Sequence, residues 1–230
     1  VKNILMGLEG GIFIVNEGLE SDDRAAVDQG WEMVQRNVGL VTGIVKDLLF
    51  CAKDREPAFR DGVCPHDIVR EVRDLYAARM KDERIEIRTE LAEPPHLGTF
   101  DPDGLHNLLC NLVANAIDAC RFDPCPDKPQ HTVTIRCLRN GSGATVLEVE
   151  DDGAGIPENL SHRVFQEFFS SKGTEGTGIG LLVVQKVAEE HGGKVSFDSK
   201  PGRGTVFTVV IPSAPAASRP ASEEVVLPAA

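Results

Sequence analysis

Basic residues are scarce in this 230-residue chain: Lys and Arg total 24 against 36 Asp and Glu, a formal net charge of −12. Such a surface repels phosphate backbones and anionic headgroups, so no nucleic acid is expected as a direct partner. Long apolar runs are missing too. None approaches the roughly 20 residues that span a bilayer, and no charged-then-apolar leader opens the chain, so no direct membrane contact is expected of it. Paired cysteine spacing is likewise absent. Cys51, Cys64, Cys110, Cys120, Cys125 and Cys137 are scattered, several in apolar contexts where a free thiol acts as a small hydrophobe, which fits a reducing, cytoplasmic compartment. Cys120 and Cys125 with His131 can be read as part of a metal site, but their spacing fits no zinc pattern and a fourth ligand is lacking.

What is present suffices for a core, with 41% hydrophobic and 26% charged residues. Apolar residues recur at Leu5, Leu8, Ile12, Val15 and Leu19, then at Val27, Trp31, Val34, Val38, Val41, Val45, Leu48 and Ala52. These alternating steps of three and four put a seam along one face of each of two helices, and Glu20-Ser21-Asp22-Asp23 supplies the turn and cap between them. Residues 1–58 are therefore expected to form an antiparallel helical hairpin. A lone hairpin leaves its seam half covered, so a homodimer forming a four-helix bundle is the economical way to bury it. The alternative is that the two helices simply pad the rest of the core.

Residues 59–212 mix helices and strands. Helices are expected over 65–80, 103–121 and 180–191, and a strand over 84–91. Val133–Leu138 and Ala144–Val149 flank Asn140-Gly141-Ser142-Gly143 as a hairpin, and Val195–Phe197 and Val206–Ile211 flank Pro201-Gly202-Arg203-Gly204 as another. The expected fold class is α+β: a helical hairpin followed by an α/β sandwich with an antiparallel-rich sheet. Residues 213–230 are mostly Ala, Pro and Ser, with two glutamates, read as a disordered tail.

Three short motifs carry chemistry. Residues 107–120 read NLLCNLVANAIDAC, so Asn107, Asn111 and Asn115 step by four along one helix face. An amide oxygen can ligate Mg²⁺ without adding negative charge beside a triphosphate; equally, the stripe can simply face solvent. In VEDDGAGIP (149–157), Asp151 ends a strand and precedes Gly153 and Gly155, a carboxylate able to accept from an exocyclic amine beside glycines that admit a flat ring, or else a plain turn. In GTGIGL (176–181), Gly176, Gly178 and Gly180 open a helix whose N-terminus suits phosphate oxygens. No strand immediately precedes these glycines and no G-x-x-x-x-G-K-[ST] loop occurs, so dinucleotide and P-loop chemistry are both excluded.

The order of these motifs, closed by Gly202-Arg203-Gly204-Thr205-Val206-Phe207, resembles the histidine-kinase branch of the GHKL ATP-binding superfamily over nearly all of residues 1–212. The resemblance implies a Bergerat-type ATP-binding domain with ATP and Mg²⁺ as ligands. Asn111 and Asn115 would form its N box with Asn115 on Mg²⁺, and Asp151, Gly153 and Gly155 would hold adenine. Phe165, Phe168 and Phe169 resemble the F box, and Ser170–Gly176 the lid, in which Lys172 would meet a phosphate. Gly176, Thr177, Gly178, Gly180 and Leu181 resemble the G2 box, with Thr205 in the closing strand. Catalytic roles would fall to Asn111, Asn115 and Lys172.

The hydrolytic branches place a glutamate four residues before the Mg²⁺ asparagine. Here Asn111 stands there and cannot take a proton from water, which suits transfer to another acceptor. Asp118 occupies a position that is basic in many histidine kinases, leaving Lys172 or Arg121 to compensate. Val1-Lys2-Asn3-Ile4-Leu5 resembles the end of H-x-x-K-N-x-L, which would place the phosphoaccepting histidine two residues before Val1 and Asn3 at a water-orienting position. The chain lacks an initiating Met, and the parent protein can be soluble or membrane-anchored. The histidines present, His66, His96, His106, His131, His162 and His191, are read as surface or loop residues. The resemblance implies autophosphorylation and transfer to a response-regulator receiver domain; the alternatives are a non-catalytic ATP-binding scaffold and a GHKL ATPase.

Overall fold

The computed structural model describes residues 2–52, 56–80, 83–123, 128–161, 163–165 and 178–212. The heptad-patterned stretches form two helices, α1 (Lys2–Glu20) and α2 (Arg24–Ala52). Asp23 caps the second: its Oδ1 accepts from the N–H groups of Ala25 (3.0 Å) and Ala26 (3.2 Å), donors that have no intrahelical partner. Close approach of the two helices depends on glycine. A Cβ on Gly30 would lie 2.8 Å from the Gly11 carbonyl oxygen, and one on Gly11 would lie 3.0 Å from that of Gly30. Larger residues there would push the axes apart.

The heptad seam divides. Leu8 and Val15 on α1 and Val27, Val34 and Val41 on α2 are partly buried, while Leu5, Ile12, Leu19, Trp31, Val38, Val45 and Leu48 remain exposed. Up to Val45, one set of heptad positions is therefore more sheltered within the hairpin and the other is left as an apolar stripe; Leu48, next in the sheltered set, is exposed. Toward the end of α2, Ile44 and Phe50 pack against the core of the following unit.

That unit contains β1 (Arg60–Val63), α3 (Pro65–Arg79), β2 (Ile85–Leu91), β3 (Gly98–Phe100) and α4 (Pro102–Arg121). It continues with β4 (His131–Arg139), β5 (Thr145–Asp151), α5 (Glu158–Ser161), α6 (Gly180–Glu190), β6 (Lys194–Lys200) and β7 (Gly204–Ile211). The main sheet has the order β2-β4-β5-β7-β6. β2 runs parallel to β4, and the other neighbours are antiparallel. The parallel pair arises because the β2–β4 connection carries a whole helix, α4, whereas β4–β5 and β6–β7 are closed by tight turns. At the first turn Asn140 Oδ1 accepts from the backbone of Ser142 (3.1 Å) and Ala144 (2.9 Å), and Gly143 takes φ +84°.

Helices α3, α4 and α6 cover one face of the sheet. Leu105, Leu108, Leu109 and Leu112 of α4 are fully buried, and the facing strands supply Ile135, Leu147, Val149, Val209 and Ile211 at alternate positions. The other face is polar. On it Arg136 reaches Glu90 (2.6 Å), Glu150 (2.6 Å) and Glu148 (3.7 Å) across three strands. The α+β class, a helical hairpin followed by a helix-covered sheet, is as expected. The small β1–β3 sheet and the one-turn α5 have no counterpart in the pattern reading, since three or four residues are too short to show a period.

Candidate functional site

Helix α4 organises the site. Asn107, Asn111 and Asn115 are half-buried on one face, and their neighbours Leu108, Leu112 and Ala116 point into the core. Asn111 Nδ2 donates to the Asn107 carbonyl oxygen at 3.0 Å. Its Oδ1 lies 2.6 Å from where a Cβ on Gly180 would stand, so α6 begins directly against this face. Eight residues further along the same face, the Ala119 carbonyl accepts from Ala154 N–H at 3.0 Å. A Cβ on Gly153 would overlap that same carbonyl. One face of α4 thus meets the start of α6 at one end and the Asp151-to-Gly155 loop at the other, separated by about 12 Å at 1.5 Å per residue. Asn115 lies midway.

Asp151 ends β5, opposite Val133 on one side and Thr205 on the other. It is only 4% exposed, and Gly153 N–H donates to its Oδ1 at 3.0 Å. Burial pushes its carboxyl up to about 6, against the partial opposing effect of the Gly153 and Thr205 backbone donors. The glycines around it answer to the protein's own packing. Gly155 (φ +68°) and Gly204 (φ +103°) leave no room for a Cβ against the carbonyls of Lys200 and Asp151 respectively. Backbone of the protein itself fills these Cβ positions.

Two neighbours of Asp151 escaped the sequence reading. Ser199 Oγ accepts from Ile156 N–H (2.8 Å), donates to the Gly204 carbonyl (3.1 Å) and meets Thr205 Oγ1 (2.8 Å), tying the loop to the β6–β7 turn. Asp152 Oδ1 accepts from Thr132 N–H (3.1 Å) and contacts His131 Nδ1 (3.0 Å) and Lys128 Nζ (3.1 Å). A serine inside a strand and the second of two aspartates carry no spacing signal that would single them out.

Gly178 adopts φ +68° just before α6, and Leu181 is partly buried against the core. Lys172, Gly176, Thr177, Phe168 and Phe169 lie outside the described residues. Phe165 stacks edge-on against Phe197 (5.8 Å) and Phe207 (6.4 Å), anchoring the chain beside β6 and β7. Arg121 is committed elsewhere: it grips Glu83 through two bonds of 2.8 and 2.5 Å and lies 3.6 Å from Asp118, so its charge is already neutralised.

His66 is buried on α3, and His106 and His131 are partly buried in α4 and β4, rather than lying at the surface or in loops; His96 sits in the loop before β3, as expected, His191 is in the turn after α6 but buried, and His162 lies outside the described residues. His191 accepts from Asp101 N–H at Nε2 (3.1 Å) while its Nδ1 donates to the Val187 carbonyl (2.8 Å), the pattern of a neutral structural imidazole.

Residues 100–215 match the model of the histidine kinase-, DNA gyrase B- and HSP90-like ATPases. The chain belongs to that ATPase family. It is similar to the sensory histidine kinase/phosphatase NtrB of Azospirillum brasilense, 30% identical over 225 residues, covering 92% of this chain and 53% of that protein. The catalytic domain of histidine kinase ThkA shares 28% identity with a TM-score of 0.58, over 67% of this chain and 95% of that one. ThkA in its complex with the response regulator TrrA shares the fold across the hairpin as well, with a TM-score of 0.69 over 93% of this chain and 60% of ThkA at 23% identity. This ATPase-family chain spans about half the length, or less, of the first curated relatives it matches. Among its described residues no helix is long and apolar enough to cross a membrane.

Proposed function

We propose that this ATPase-family chain is the dimerisation and ATP-binding core of a sensor histidine kinase, with residues 1–58 as the hairpin and 59–212 as the nucleotide domain. The carrying observation is the polar face of α4, which joins the start of α6 to the loop after Asp151 over a distance that suits an extended nucleoside triphosphate. On this reading the Asp151 carboxylate accepts from the adenine amine, and Gly153 and Gly155 hold the loop that presents it. The N–H groups opening α6 at Gly178, Gly180 and Leu181 face phosphate oxygens, and Asn111 orients that helix start. Lys172, Gly176 and Thr177 complete the phosphate end, and Thr205, paired with Asp151 across β5 and β7, stands at the adenine end.

The half-buried amides fit a hard cation, and Asn115 would hold Mg²⁺, which when bound neutralises phosphate charge. Because position 111 carries an amide rather than a carboxylate, the site has no base there to activate water. The γ-phosphoryl group then passes to an imidazole nitrogen of a histidine associated with the hairpin, leaving ADP, and from there to a receiver-domain aspartate. The chain's contribution is positioning and charge stabilisation. Pairing of two hairpins through the exposed stripe builds the four-helix bundle.

Calorimetry of Mg²⁺–ATP binding to the chain and to Asp151→Asn tests the nucleotide site: binding is expected in the first and lost in the second. Labelling with γ-labelled ATP of a protein extended upstream of Val1 tests transfer: an acid-labile, base-stable label is expected. ATP binding without label in the folded extended protein would reduce the reading to a nucleotide-gated scaffold.

A further inference from the structure

Beyond the proposed nucleotide site, three donors converge from separate elements: Cys120 in the last turn of α4, His131 at the start of β4 and Asp152 immediately after β5. Their ligand atoms all lie within 4.8 Å of one another. His131 Nδ1 is 3.0 Å from Asp152 Oδ1, and Cys120 Sγ is 4.0 Å from the same oxygen. We propose that Cys120, His131 and Asp152 form a binding site for one divalent transition-metal cation of the zinc class.

Donor chemistry selects that class. A thiolate, an imidazole and a carboxylate suit Zn²⁺ and its neighbours, whereas Mg²⁺ and Ca²⁺ require oxygen ligands. Bonds of about 2.3 Å to sulfur and 2.0–2.1 Å to nitrogen and oxygen give tetrahedral edges of roughly 3.3–3.5 Å, so an edge of the triad, at most 4.8 Å, has to close by up to about 1.5 Å. A carboxylate that could support the imidazole lies nearby, beyond hydrogen-bond distance. Asp123 Oδ2 lies 3.9 Å from His131 Nε2, on the side of the ring away from Asp152, as in carboxylate–histidine–metal arrangements that fix the imidazole. The spot already attracts a cation: Lys128 Nζ sits 3.1 Å from Asp152 Oδ1 and also donates to the Asp152 carbonyl. Its ammonium rides on a flexible stem and a metal would displace it. Three protein ligands leave a fourth position for water. A bound cation would fasten the end of β5 that carries Asp151 to α4 and β4.

Co²⁺ titration of the reduced chain tests this. One equivalent should produce a sulfur-to-cobalt charge-transfer band with the visible bands of a four-coordinate ion, and Zn²⁺ should abolish both. Cys120→Ser should remove the charge-transfer band, and His131→Ala should weaken Co²⁺ binding at least tenfold. Lys128→Met should tighten it several-fold, an effect that a purely structural ion pair would not give and that does not depend on the core variant folding. Absence of the band, its survival in Cys120→Ser, or unchanged or weaker binding in Lys128→Met would each overturn the site.

Discussion

The Asn111 amide oxygen occupies the place next to Gly180 that any side chain would need, 2.6 Å from an ideal Cβ. Gly180→Ala therefore displaces the far end of the Asn111 side chain, while alanine gains up to about 1 kcal/mol of helix propensity over glycine. The unliganded melting temperature should hold or rise, and calorimetry should show nucleotide affinity falling at least tenfold. Unaltered affinity would separate Asn111 from the phosphate end.

Asp151 makes stability and binding oppose each other with pH. Its carboxyl titrates near 3.8 when unfolded and at about 6 when folded. Between those values the folded chain keeps a proton that the unfolded chain has released, so unliganded stability falls as pH rises, by roughly 3 kcal/mol once pH exceeds about 6. Denaturant titrations at pH 4 and pH 8 should show this for the native protein, and Asp151→Asn should flatten it. Nucleotide affinity should run the other way, weakening as pH drops below about 6 and the acceptor gains its proton.

The exposed stripe of Ile12, Leu19, Trp31, Val38 and Val45 predicts a dimer. Analytical ultracentrifugation should find two chains per particle, and Ile12→Glu with Val38→Glu should yield monomers that still bind nucleotide. A native monomer at high concentration would refute the bundle.

His191 bridges Asp101 N–H and the Val187 carbonyl within the core. His191→Phe keeps a ring but removes the acceptor of Asp101 N–H and the side-chain donor to the Val187 carbonyl, which still accepts from the backbone N–H of residue 191 at 3.2 Å, at a cost of about 1–3 kcal/mol. The urea midpoint should drop accordingly while nucleotide binding persists.

Periodicity along the chain determined most of the elements by itself. Heptad steps marked α1 and α2, the four-residue Asn spacing marked α4, and Asn140-Gly141-Ser142-Gly143 marked the β4–β5 turn, because each depends on residues only a few positions apart. The order of the Asn, Asp and Gly motifs was legible for the same reason. Tertiary structure alone decided which half of the heptad seam is more sheltered within the hairpin, since Gly11 and Gly30 set the approach of the helices only once they face each other. It decided that Gly153, Gly155 and Gly204 are required by backbone from Ala119, Lys200 and Asp151, residues distant in sequence. It also brought Asp152 to Cys120 and His131 across separations of 32 and 21 residues, which no local spacing can announce. Burial of His66 and His191 belongs here too, because whether an imidazole is enclosed depends on the elements that close over it.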